Sequence, residues 1–169
     1  MSLTPLLVDV GTILEDATGF VQYLLVFLFA AIPVFEILVV IPIAIGLGLD
    51  PILTGIIAFA GNVLSVYALI LFHGRLSAWW ANWRGTDDDA EPEPSDRYAR
   101  ARTLWDRYGL PGISFGGPVL TGVHIAAIVA LLAGSRERLV AGWMTVGIAI
   151  WTVILTGASA FGVSLLGIA

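Results

Sequence analysis

The stretch GLPGISFGGPVLTGVHIAAIVALLAG, residues 109–134, decides how this chain is built. Its 26 residues are apolar enough to enter a bilayer, and at about 1.5 Å of rise per residue they would cross one if straight. Yet Pro111, Gly112, Gly116, Gly117, Pro118 and Gly122 punctuate it, and residues of this kind break a straight helix near its middle. The arginines settle the choice. Six of them (Arg75, Arg84, Arg97, Arg100, Arg102, Arg107) precede the stretch and two (Arg136, Arg138) follow it. A complete crossing would put the two groups on opposite sides, against the tendency of basic residues to stay cytoplasmic. A re-entrant hairpin keeps all eight in the cytoplasm.

Working outward, FVQYLLVFLFAAIPVFEILVVIPIAIGLGL (residues 20–49) has the same character. Its 30 residues, interrupted at Pro33, Glu36, Pro42, Gly46 and Gly48, are too long for one simple span and too short for two. Two half-depth arms fit better. Residues 51–72 and 139–169 then read as clean spans. The four blocks hold 109 of the 169 residues, the chain is 58% hydrophobic and only 12% charged, and its mean hydropathy is +0.92. An ordinary soluble domain carries about 25% charged residues. This is therefore an integral membrane protein, and a soluble enzyme or a nucleic-acid binder is excluded.

The expected fold is an all-α integral membrane protein of two inverted halves, each a broken re-entrant helical hairpin followed by a transmembrane helix. One membrane domain covers 1–169: an N-terminal segment (1–19), a first half (20–72), a cytoplasmic loop (73–108) and a second half (109–169). The cell membrane is the expected location, with several passes. Interrupted apolar segments at corresponding positions of two halves point to a transporter-like site near the midplane. No basic residue precedes the first apolar run, which carries Asp9, Glu15 and Asp16, so residues 1–19 are expected to stay with the mature protein.

In the loop, Leu76, Trp79, Trp80 and Trp83 recur at the spacing of one helical face, suited to the headgroup level. Tyr98, Ala101, Trp105 and Tyr108 share a side of a second amphipathic helix, with Arg97 and Arg100 toward another. Six of the thirteen acids fall within 87–96, and residues 85–95 (GTDDDAEPEPS) read as a solvated linker. Anchoring accounts for these aromatics, with contact to a lipidic substrate the alternative.

Few residues are left to carry chemistry. Glu36 is the one acid deep in an apolar block, where a charge costs about 3 kcal/mol on insertion scales. Either it exchanges a proton as the hairpins rearrange, or it is a neutral or paired acid tying them together. His124, six residues after Pro118, is its candidate partner in a proton relay, the alternative being a hydrogen bond to a backbone carbonyl. Asn62 sits in mid-span, where its amide can satisfy carbonyls freed by a neighbouring broken helix or meet a substrate. Pro42, Pro111, Pro118, Gly116 and Gly117 shape the hairpins, and the open backbone N–H groups at such tips can receive an anion. Arg107 is the basic group nearest the second hairpin's mouth, placed to attract an anionic head group or to anchor its helix. His73 is read as structural, and Ala158 with Gly162 as a helix-packing face; membrane lipids and a second copy of the chain are among the expected partners. With no cysteine and two histidines, no metal site is expected, and no cofactor. No nucleotide fingerprint, catalytic triad or HExxH motif is present, so enzyme activity is not expected.

These residues resemble the small multidrug export protein family, related to the DedA-like membrane proteins. The likeness rests on Glu36 followed by Ile-Leu-Val-Val-Ile-Pro42, then Gly46, Gly48 and Gly61-Asn62. In the second half it rests on Arg107-Tyr108-Gly109 and on Gly116-Gly117-Pro118-Val-Leu-Thr121-Gly122. It covers roughly residue 32 to the C-terminus. It implies a small polytopic transporter with paired re-entrant elements, and through the DedA-like group an association with lipids, lipid-linked phosphates and the proton gradient. Thr121, within the motif, joins Asn62, Arg107, Gly116, Gly117 and Pro118 as a candidate substrate contact. The DedA-like group carries arginines beside the second hairpin's proline; SFGGPVLTGVH has none. Three functions are consistent with the whole: a proton-linked exporter or flippase of amphipathic molecules, a lipid scramblase or polyprenyl-phosphate flippase, and a non-transporting scaffold.

Overall fold

The computed structural model describes residues 4–33, 35–84 and 96–165, with side chains placed for 10–33, 35–73, 100 and 102–165. Among the described residues there are seven helices and no strand: α1 (Thr4–Asp16), α2 (Phe20–Ala31), α3 (Glu36–Gly46), α4 (Pro51–Arg84), α5 (Asp96–Leu120), α6 (Val123–Leu132) and α7 (Glu137–Leu165). Two of them, Pro51–His73 within α4 and Glu137–Leu165, are long and apolar enough to cross a membrane. At about 1.5 Å per residue, α2, α3 and α6 reach only about 15–18 Å, roughly half of a hydrocarbon core. The chain divides into two compact units, Met1–Ser65 with Thr145–Ala169, and Val66–Met144.

In the first unit, α3 buries Ile37, Val40, Ile41, Ala44 and Ile45, spaced as one face of a helix. The helices α1 and α2 pack against it. The N-terminal segment thus contributes a helix that the sequence reading left unassigned. Val10 and Leu14 anchor it, and its Leu14 carbonyl accepts a 3.1 Å hydrogen bond from Gln22 Nε2. Pro33 has no N–H to give to the Phe29 carbonyl, so the chain breaks there and Ile32 N–H takes its place at 3.1 Å. Asp50 starts α4 as a side-chain cap, its Oδ1 accepting the Leu53 N–H at 2.8 Å. Two glycines let α4 approach its neighbours. A side chain at Gly61 would collide with the Phe27 backbone carbonyl of α2, and one at Gly55 would meet Thr156 Oγ1 of α7.

In the second unit, α5 turns sharply at Gly109, whose φ of 62° and ψ of −154° suit glycine alone. Gly109→Ala is expected to cost about 1–3 kcal/mol, read as a lowered thermal midpoint in detergent. Beyond the kink, Leu104 covers Gly116, and Gly117 brings α5 against Ala126 of α6. Val123, Ala126, Ala127 and Ala130 form the buried face of α6. At the end of α4, His73 Nδ1 lies 2.6 Å from the Ile70 carbonyl and 3.6 Å from Glu137 Oε1 at the start of α7.

From α2 onward, and again from the Gly109 kink of α5 onward, the chain runs through one element order: short helical segment, break, short helix, tight turn, long helix. Even the turns agree. Leu49 N–H bonds the Ala44 carbonyl and Gly48 N–H the Ile45 carbonyl, with Gly48 at φ 89°. Ser135 N–H bonds Ala130 and Gly134 N–H bonds Leu131, with Gly134 at φ 84°. Both are Schellman ends, in which a left-handed glycine lets the last carbonyls of α3 and α6 find donors.

The surface of the spans fixes the solvent they need. On α4, Ile52, Ile56, Leu64, Leu71 and Phe72 are exposed, and on α7 so are Val146, Val153, Phe161 and Leu165. Only 33% and 28% of the two apolar windows are buried, so neither is the core helix of a water-soluble protein. Lipid tails are the matching environment.

Of the interruptions the sequence offered, Pro33 and Gly122 coincide with the breaks, whereas the hairpin-shaping residues Pro42, Gly116, Gly117 and Pro118 lie inside helices. Pro42 lies exposed inside α3, which continues to Gly46, and the first break falls between the end of α2 at Ala31 and the start of α3 at Glu36. Pro111 falls in the first turn after Gly109, where its missing N–H was unpaired in any case. Gly116, Gly117 and Pro118 lie within α5; the second tip is Thr121–Gly122, where Gly122 adopts φ 90° and its N–H reaches back to the Gly117 carbonyl at 2.8 Å. The side chains of Leu76, Trp79, Trp80, Trp83, Tyr98 and Ala101, and the linker 85–95, lie outside the described residues.

Candidate functional site

Glu36 and Asn62 belong to the first unit; Arg107, Pro111, Gly116, Gly117, Pro118, Thr121 and His124 belong to the second. Each unit offers a broken helix with buried polar side chains beside it.

In the first unit the centre is Glu36. It opens α3, its side chain is buried at 5% exposure, and its backbone is held at φ 42°. Among the described residues it is the one non-glycine with positive φ, a conformation costing about 1–3 kcal/mol when the surroundings impose it. Its N–H donates to the Ile32 carbonyl at 3.2 Å, as does that of Phe35 at 3.1 Å. Phe29 and Phe35 meet edge to face across the break, 5.5 Å apart, which screens it with apolar rings.

Asn62 reaches this break from α4. Fully buried, its Nδ2 donates to the Ala30 carbonyl at 3.1 Å, the kind of contact expected of an amide beside a broken helix. Its Oδ1 is buried without a hydrogen-bond partner. The hydroxyls of Thr54 and Thr156 are in the same condition, while Thr152 returns its hydroxyl to the Ile148 carbonyl at 2.8 Å. The sequence reading did not single out these threonines. The signal was present in the spacing: Thr54, Ala58 and Asn62 recur every four residues along one buried face.

In the second unit His124 is buried at 3% exposure in the first turn of α6, and Thr121 Oγ1 turns back to the Gly117 carbonyl at 3.2 Å. Ser114 likewise bonds the Leu110 carbonyl at 2.8 Å. Pro118 is buried, and the space beside Gly116 and Gly117 is filled by Leu104 and Ala126. Close packing is thus what these two glycines visibly do. Arg107 is exposed before the Gly109 kink, its guanidinium 5.3 Å from the Tyr108 ring, and Arg102 pairs with Asp106 at 3.4 Å on the helix surface.

Chemically, then, the described residues hold one deeply buried acid, one buried histidine, and hydroxyl and amide groups at helix breaks. They hold no group of three or more His, Cys, Asp or Glu able to bind a metal.

No curated protein and no solved structure matches the chain. Residues 36–154 match the family described as "Putative small multi-drug export protein", a span that begins on Glu36 and takes in α3 through most of α7. With well over half of its length matched, the chain belongs to the small multi-drug export protein family.

Proposed function

We propose that this member of an export family is a secondary, proton-linked exporter of amphipathic molecules. Glu36 carries the proton, and the substrate enters laterally from the bilayer. The observation that carries the reading is the position of Glu36: a buried carboxyl at the break between two apolar helices, each only about half as long as a membrane is thick. Irregular backbone at membrane depth is tolerated where protein or a polar cavity surrounds it, which makes such a break the natural place for a substrate or ion. Two re-entrant hairpins in inverted halves, with the loop 73–108 cytoplasmic, remain the topology that keeps every arginine on one face. His124, buried in the first turn of α6, is the second proton-coupling group of this reading.

A lipid-linked phosphate is the second reading, through the likeness to DedA-like proteins. It is favoured by Arg107, exposed at the kink that leads into the second hairpin. One experiment separates the two. The purified protein is reconstituted in liposomes, and flux of a hydrophobic cation and of a polyprenyl phosphate is measured with and without a pH gradient, in wild type and Arg107→Gln. Exporter behaviour is gradient-dependent cation flux that Arg107→Gln leaves in place. Loss of a charge-assisted contact would instead slow phosphate movement by about tenfold. If a well-folded preparation neither moves nor binds either compound, the scaffold reading replaces both.

A further inference from the structure

We infer that the seam between the arm of α5 beyond Gly109 and the start of α7 seats an anionic phospholipid of the surrounding bilayer, its phosphate at Arg107 and Arg136 and an acyl chain along Phe115 and Trp143. These four residues lie in the second unit. The lipid is a resident of the protein surface and not the transported molecule, so the site adds to the exporter reading without depending on it.

A ring contact sets the seam. Phe115 and Trp143 meet edge to face, 6.5 Å between centroids and 72° between planes, which brings one stripe of each helix beside the other. On α7 the stripe is Arg136, Leu139 and Trp143, at the i, i+3, i+7 spacing of one helical face. Arg136 is in helical register, because its carbonyl accepts the Val140 N–H at 3.1 Å. On α5 the stripe is Tyr108, Gly112, Phe115 and Val119. The Gly109 kink leaves Tyr108 over this face, since a side chain at Gly112 would strike it. Apart from the glycine, every member of the two stripes is exposed.

Both stripes begin with an arginine at the same end of the unit. Helix α6 packs back on α5, with Ala126 against Gly117 beside the turn at Gly122, and its ten residues nearly match the arm in length. The tight turn at Gly134 then starts α7, so Arg136 returns to the end where Arg107 precedes the kink. Both arginines are exposed. Among the described residues neither meets a carboxylate: Asp106 pairs with Arg102 at 3.4 Å, and Glu137 lies 3.6 Å from His73. Two guanidinium groups above an apolar, aromatic seam select the occupant. Arginine binds phosphate oxygens through paired N–H groups, and basic sites beside membrane helices take anionic head groups. A zwitterionic lipid brings a cation of its own to the arginines, and a hydrophobic cation is repelled by them. Acyl chains gain little by leaving other lipid for the seam, so the head group decides the preference.

The test offers phosphatidylglycerol or phosphatidylcholine to the purified, delipidated full-length protein in detergent. Retained lipid is counted by native mass spectrometry, and thermal midpoints are taken on the same samples. Wild type is expected to hold phosphatidylglycerol saturably, with an affinity at least about tenfold above phosphatidylcholine, and to melt higher with it bound. Arg136→Gln and Arg107→Gln should each weaken phosphatidylglycerol by about fivefold. Arg138→Gln removes the same charge from a position turned away from the stripe, and should change the affinity by less than about twofold. Trp143→Ala should weaken both lipids alike; the exposed arginines pack nothing, so their variants decide the matter even where Trp143→Ala does not fold. Equal retention of the two lipids overturns the proposal. So does a loss in Arg138→Gln as large as in Arg136→Gln, which marks diffuse surface charge, or a folded Trp143→Ala that retains phosphatidylglycerol like wild type. Flux driven by a pH gradient, measured in liposomes of both lipids, keeps the outcomes apart. Flux without a lipid preference sinks this inference alone, whereas a lipid preference without flux sinks the exporter reading alone.

Discussion

Glu36→Gln is expected to reduce pH-driven flux to that of protein-free liposomes while leaving the protein folded. Glutamine keeps the shape of the side chain and most of its hydrogen bonding, and removes only ionisation. An ionised carboxyl in the hydrocarbon region costs about 3 kcal/mol, so the thermal midpoint should hold or rise when the charge is removed. Stability and transport therefore move apart, which a purely structural acid would not produce. The strained backbone at φ 42° sharpens this expectation, because a conformation that disfavours side chains is here occupied by a glutamate. Reconstituted flux and detergent melting on the same preparation decide the matter, and a glutamine variant with wild-type pH-driven flux would make Glu36 a structural residue.

The second large effect is on stability. Gly61→Val should cost about 3 kcal/mol or more, because the new side chain meets the backbone carbonyl of Phe27, which cannot rotate aside. Apolar side chains gain little by leaving lipid for a helix interface, so spans are held by close packing and the hydrogen bonds it allows. Pushing α4 from α2 also stretches the bond from Asn62 to Ala30. Gly55→Ala should be milder, since its obstacle is the Thr156 hydroxyl, the end of a side chain that can turn. Gly162→Ala has open space and should be neutral or slightly stabilising through helix propensity. Thermal midpoints and folded yield in detergent should rank the three in that order, and an unaffected Gly61→Val would refute the packing argument.

Membership in the export family came into view through short motifs, and the match begins on the residue that the apolar context had already marked, Glu36. The amide of Asn62 was legible for a similar reason: a polar side chain in an apolar span must find a partner, and a proline-broken helix nearby has carbonyls to offer. What stays unpaired in the folded protein was not legible. The orphaned Oδ1, the unpartnered hydroxyls of Thr54 and Thr156, and the positive φ of Glu36 exist only once neighbouring helices are in place.

By itself, the sequence determined the solvent and the long elements. Apolar run length and charge content are properties of a segment alone, and they mark Pro51–His73 and Glu137–Leu165 as helices long and apolar enough to cross a membrane. Tertiary structure decided where the interrupted blocks bend. Residues 20–49 offer breakers at Pro33, Pro42, Gly46 and Gly48, and residues 109–134 offer Pro111, Gly112, Gly116, Gly117, Pro118 and Gly122. Proline costs a helix interior about 3 kcal/mol and glycine about 1, yet each block holds two prolines and the second block turns at a glycine, so local propensity alone does not choose the break. Packing chooses. Ile37, Val40 and Ile41 bury best if α3 runs unbroken past Pro42, which turns outward, and Gly117 against Ala126 holds α5 helical until the chain can turn at Gly122.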